Sequence, residues 1–151
     1  MSRQTLAVEV EFFGFSLQER DEAAVPVLFP EGWDPGASSG FLTSQQGRLD
    51  VDSAGHTHTA RLEVEVWDSE PPADVEGEWE ADEQAEVDSP SGVLDVCAVT
   101  GGLAGESVVL AGAGVWRVRL LVSGRAAVAE EATHGVPDGV ERYLARFWPT
   151  R

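Results

Sequence analysis

Apolar residues recur at every second position in several stretches of the chain, the period that places alternate side chains on opposite faces of a β-strand. In Trp116-Arg117-Val118-Arg119-Leu120-Leu121-Val122 the residues Trp116, Val118, Leu120 and Val122 share one face and Arg117 and Arg119 the other, after the glycine turn Gly112-Ala113-Gly114. In Arg61 to Trp67, Leu62, Val64 and Val66 point inward while Arg61, Glu63, Glu65 and Trp67 lie outside. A first strand runs from Thr5 to Phe13 with Leu6, Val8, Val10 and Phe12 on its apolar face. Phe13 and Phe15 continue the apolar signal in the opposite parity, which predicts a bulge or bend near Gly14.

Weaker signals fill the rest of the chain. From Glu19 to Ser39 the alternation fails among Pro26, Pro30, Gly32, Pro35 and Gly36, so a long loop is expected, packed by its own apolar pieces. Phe41 to Thr43 and Arg48 to Asp52 read as short strands joined by Gln45-Gln46-Gly47, and Trp79, Ala81, Ala85 and Val87 outline a further one. Val93 to Val99 is apolar on both parities except at Asp95, the mark of a strand covered on both faces, and Val108 to Leu110 is a short strand. Ala126 to Ala132 suits a helical turn or two. Glu141 to Trp148 is ambiguous, because Tyr143, Leu144, Phe147 and Trp148 also match a helical face; a strand is the preferred reading. About eight short strands between Gly- and Pro-rich turns make the expected fold all-β, a single antiparallel, jelly-roll-like β-sandwich domain spanning residues 1–151.

Composition narrows the function. A hydrophobic share of 42% with 5 Trp and 6 Phe supplies too much anchoring surface for a disordered chain. Met1 leads into polar residues, and no apolar run approaches the roughly 20 residues of a membrane span, so a cytoplasmic protein is expected. Cys97 is the single cysteine, which rules out an internal disulfide or a cysteine-based zinc site, and its apolar strand predicts an inert thiol. The net charge of -17 argues against direct contact with nucleic acid or an anionic membrane and in favour of a basic protein partner.

Few residues suggest catalysis. His56 and His58, followed by Glu63, have the H-x-H-x4-E spacing of a cupin metal site, so a cupin-like metal enzyme or small-ligand barrel is the alternative reading. The glycines that flank the cupin motif are not at their expected positions, and its second motif is missing around His134, so a polar hairpin end is preferred and no cofactor is expected. The 27 acids generate any carboxylate spacing by chance, so paired carboxylates carry no signal. Gly101-Gly102-Leu103-Ala104-Gly105 lacks the Lys-Ser/Thr ending of a phosphate loop.

The unusual stretch is acidic. Between Glu63 and Asp95 lie 13 carboxylates and no cation, with Trp67 and Trp79 interleaved. A solvated face accounts for most such runs. Aromatics among concentrated like charges instead suggest a binding surface, with Trp67, Asp68, Glu70, Glu76, Glu78, Trp79, Glu80, Asp82 and Glu83 as candidate contact residues.

Three segments carry a resemblance: Val64-Glu65-Val66-Trp67-Asp68-Ser69-Glu70-Pro71-Pro72, Gly114-Val115-Trp116-Arg117-Val118-Arg119, and Glu141-Arg142-Tyr143-Leu144 running to Phe147-Trp148-Pro149. They resemble a group of uncharacterised actinobacterial proteins with G-x-Y-R-V-R and E-x-Y-L-x-x-x-W-P near the C-terminus; here Trp116 stands where Tyr is usual. More distantly, the ending is similar to the competence protein J family, inhibitors of the nuclease that acts as DNA enters the cell. The likeness covers mainly residues 62 to 149. It implies a non-enzymatic inhibitor or immunity-type protein, consistent with an acidic surface able to occupy a DNA-binding cleft.

Overall fold

The computed structural model describes residues 2–11, 13–21, 41–45, 47–73, 75, 77–98, 103–131, 135 and 138–150, which carry ten strands and one short helix. The strands are β1 (Ser2–Val10), β2 (Gly14–Glu19), β3 (Leu42–Gln45), β4 (Arg48–Asp52), β5 (His58–Val66), β6 (Ala81–Ser89), β7 (Val93–Ala98), β8 (Leu103–Val109), β9 (Gly114–Ser123) and β10 (Arg142–Pro149). The helix α1 (Arg125–Glu131) falls where the alanine-rich stretch predicts one. Most of the expected long loop, residues 22–40, lies outside the described residues, as do Phe12, Gly101, Gly102 and His134.

Two five-stranded sheets form, in the orders β1-β5-β10-β9-β6 and β3-β4-β2-β7-β8. Alternation decides their facing. Leu6, Val8 and Val10 of β1, Leu62, Val64 and Val66 of β5, and Trp116, Val118, Leu120 and Val122 of β9 enter one core with Phe15, Leu17, Leu49, Val51, Leu94 and Val96 of the other sheet. The expected bend near Gly14 is a complete change of sheet. Phe13 adopts a left-handed backbone, φ 64°, held by its N–H donating to His56 O and its carbonyl accepting from Ser53 N–H. The inner face reverses as the chain crosses between sheets, which is why Phe15 and Leu17 carry the opposite parity to Val8 and Val10.

One pairing departs from the antiparallel expectation, since β10 runs parallel to β5 while pairing antiparallel with β9. β10 is the middle strand of its sheet, and Tyr143 to Trp148 are all buried. Burial on both faces erases the alternation, which explains its helical look in the sequence. Side chains link the sheets along both edges. On one side Gln4 of β1 bonds the backbone of Ser107 and Val109; on the other, Ser44 donates to Glu86 O and Glu83 accepts from the N–H groups of Phe41 and Leu42. Bonds of this kind help to blunt sheet edges that would otherwise offer unpaired backbone groups. No helix among the described residues is long and apolar enough to cross a membrane.

Candidate functional site

The acidic stretch is a strap. β5 and β6 are separated in their sheet by β10 and β9, so the chain from Trp67 to Glu80 must cross from one to the other. It crosses the outer face, where Arg146 Nη1 donates to Pro72 O at 2.8 Å and Arg119 Nη1 to Ala73 O at 2.7 Å. The Arg146 guanidinium also lies 5.2 Å from the centre of the Trp67 ring, a cation–π distance. The strap begins with Trp67 N–H on Phe147 O and ends with Glu80 N–H on Val122 O, both at 2.8 Å.

Register builds the surface beneath it. Arg3, Glu65, Arg146, Arg119 and Gln84 stand side by side across the five strands. Glu65, expected on a solvated outer face, is instead only 4% exposed. It accepts from Arg3, from Arg146 Nε at 2.9 Å and from Trp67 Nε1 at 3.1 Å. Burial alone would raise its carboxyl pKa, but the bonds from Arg146, Arg3 and Trp67 outweigh it and hold the group below its usual value.

The carboxylates divide by role. Asp82 pairs with Arg119 at 2.8 Å and Glu86 with Arg117 at 2.6 Å, while Glu80 accepts from Gly124 N–H at 3.0 Å. Glu83 points inward from β6 to Phe41 and Leu42. Asp68, Glu70, Glu78 and Asp88 are exposed, Trp67 and Trp79 are half-buried, and Glu76 lies outside the described residues. Among the described residues Glu70, Glu78 and Asp88 make no hydrogen bond or ion pair. A cleft of about 290 Å³ opens where the strap meets the end of β10, lined by Ser69, Glu70, Arg117, Trp148, Pro149 and Thr150.

The metal-site alternative is not formed. His58 begins the inward parity of Ala60, Leu62 and Val64, whereas Glu63 faces outward toward Arg61 and Arg142. His56 is exposed, its ring edge-on to Phe13 with centroids 5.0 Å apart. Among the described residues no three His, Cys, Asp or Glu side chains are grouped to hold a metal.

His58 instead joins a buried polar cluster that sequence reading missed. Ser53 Oγ lies 2.8 Å from His58 Nε2 and donates to Glu141 Oε1 at 2.6 Å, and Glu141 also accepts from Tyr143 OH at 2.6 Å and Ala54 N–H at 3.0 Å. Ser53 has one hydroxyl proton, given to Glu141, so His58 Nε2 is the donor toward it. Nδ1 is buried without a partner. In a Ser-His-Asp triad the serine donates to the histidine, and the carboxylate holds the histidine's other nitrogen. Here the carboxylate holds the serine. With Ser53 at 6% exposure, His58 at 3% and Glu141 at 0%, the cluster lies in the interior and ties the β4–β5 connection to the start of β10. Gly55 lets the chain approach, since a Cβ there would sit 2.7 Å from His58 Cδ2 and 2.8 Å from Val128 Cγ1.

A second buried carboxylate, Glu19, continues the inward parity of Phe15 and Leu17. It accepts from Ser89 Oγ at 2.7 Å, Ser91 Oγ at 2.6 Å and Asp21 N–H at 2.6 Å, tying the β6–β7 turn to the end of β2. Burial pushes its pKa up, and the serine hydroxyls and backbone donors more than reverse that. Cys97 is buried as expected, and burial together with Asp95 raises its thiol pKa.

No family model and no curated relative matches the chain. Its fold is similar to that of ComJ, inhibitor of the DNA degrading activity of NucA, from Bacillus subtilis, with a TM-score of 0.64 over 97% of this chain and 96% of that one at 8% identity. It is also similar to the product of crocagin biosynthetic gene J, with a TM-score of 0.57 over 100% of both chains at 14% identity. At these identities the likeness is one of fold.

Proposed function

We propose that this chain is a single non-enzymatic β-sandwich domain that binds a basic protein, acting as an inhibitor or immunity-type partner of a nuclease or similar enzyme. The observation that carries this reading is the distribution of charge. Eight of the ten arginines, at positions 3, 20, 48, 61, 117, 119, 142 and 146, are paired with carboxylates of the same chain. The net -17 is therefore left for solvent or a partner to neutralise. A nuclease must hold phosphates with cationic side chains, so its cleft attracts such a surface, while DNA itself is repelled. The shared fold with an inhibitor of a DNA-degrading enzyme supports the same reading.

The strap and β6 form the proposed contact region, with Trp67, Asp68, Glu70, Glu76, Glu78, Trp79, Glu80, Asp82 and Glu83 as its residues. Asp68, Glu70, Glu78 and the half-buried Trp79 meet the partner, whereas Glu80, Asp82 and Glu83 shape the surface through their internal bonds. The test is capture from the native host at low salt with elution by a salt step, followed by assay of the captured protein's activity with and without this chain. A basic enzyme that loses activity on adding the chain supports the reading; a captured protein whose activity is unaffected contradicts it.

A further inference from the structure

We propose that the cleft between the strap and the end of β10 receives an arginine side chain of the partner. The inference rests on the protein-binding reading above and gives it an anchor point. Its walls suit that side chain. Trp148, 6% exposed, and the half-buried Pro149 line the cleft, and Val115, two residues before Arg117 on the same outer parity of β9, is exposed. Thr150 N–H donates to Val115 O at 3.0 Å, so the valine and the cleft wall are held together.

The lining carries one acid and one base, Glu70 and Arg117, and among the described residues only the acid is uncommitted. The Arg117 guanidinium is committed to Glu86 at 2.6 Å. Glu70 on the cleft wall has no partner among the described residues, and neither has Asp88, which stands opposite Val115 in the β6–β9 register. A guanidinium is planar and weakly hydrated, so it can lie against an indole and hydrogen-bond carboxylates while its stem covers aliphatic surface. A free carboxylate on the cleft wall, with a second opposite the exposed Val115, matches that chemistry; a carboxylate or phosphate of a partner would be repelled.

The test is a nuclear magnetic resonance titration of the full chain with Nα-acetyl-arginine amide, with its uncharged norleucine counterpart as control at matched ionic strength. The expected result is a saturable shift of the Trp148 indole N–H together with the Glu70 and Asp88 amides, absent with norleucine. Glu70→Gln should weaken binding about two- to fivefold, the range for a partly exposed ion pair, with the rest of the spectrum unchanged. Shifts spread evenly over all exposed carboxylates, or an affinity indifferent to Glu70→Gln, would overturn the proposal. Because the probe replaces the partner, failure here with a salt-sensitive partner capture rejects only the anchor, and failure of the capture does not alter the titration.

Discussion

Tyr143 donates its phenolic proton to Glu141, two residues back along the chain, at 2.6 Å in the interior. Residues i and i+2 of a strand share a face, so the E-x-Y spacing at the start of β10 is what lets the two side chains meet. Burial, then the charge of Glu141, raises the tyrosine pKa, so the phenol remains the donor. Glu141→Ala should strand the Ser53, Tyr143 and Ala54 donors and cost about 3 kcal/mol or more, while Tyr143→Phe should cost about 1 to 2 kcal/mol. Urea unfolding of both variants checks this; an alanine variant as stable as the parent would mean the cluster does not brace the fold.

Trp116 is 4% exposed in the shared core and donates its indole N–H to Gly112 O at 3.0 Å. Trp116→Ala should cost about 3 to 5 kcal/mol, a large share of a domain's stability. A thermal melt coinciding with the parent's would contradict the facing of β9.

Glu65 should give the protein an acid-labile component. Its carboxyl is held below the ordinary 4.5, so its contribution is complete above that value and is lost as pH falls through the lowered one. Glu19 and Asp95 act in the same direction, and Asp52, raised by burial and by Asp50, acts in the opposite one. As pH falls below about 4.5 the parent should lose stability more steeply than Glu65→Gln. Parallel stability curves for the two proteins would contradict it.

Much of the fold was legible where one face meets water. β1, β5 and β9 alternate cleanly because each has an apolar inner face, and the parity of His58 with Leu62 already separates it from Glu63. Elsewhere the signal was lost for physical reasons. β10 is covered on both faces, so its periodicity could not distinguish strand from helix. Glu65 and Glu19 look like surface acids because sequence gives no sign of the donors, up to 81 residues away, that make burial tolerable. For Glu19 its parity with Phe15 and Leu17 was the available clue. In the acidic stretch, sequence located the charge but could not separate carboxylates engaged by Arg117, Arg119 and the backbone from those left free.

Cys97, with its thiol directed to Asp95 O at 3.7 Å, should react with a thiol reagent only after denaturation. Rapid labelling of the native protein would place the thiol at the surface.

If free carboxylates on the strap and β6 draw in a basic protein, as proposed, the effect is read in the association rate of the captured partner. Glu70, Glu78 and Asp88 can be neutralised together without breaking an internal bond among the described residues. Exposed charges act over about 8 Å at 0.15 M salt, so the rate should fall as salt rises and fall again in the triple Gln/Gln/Asn variant. An association rate indifferent both to salt and to the three substitutions would rule out electrostatic capture and leave the acidic surface as a means of staying in solution.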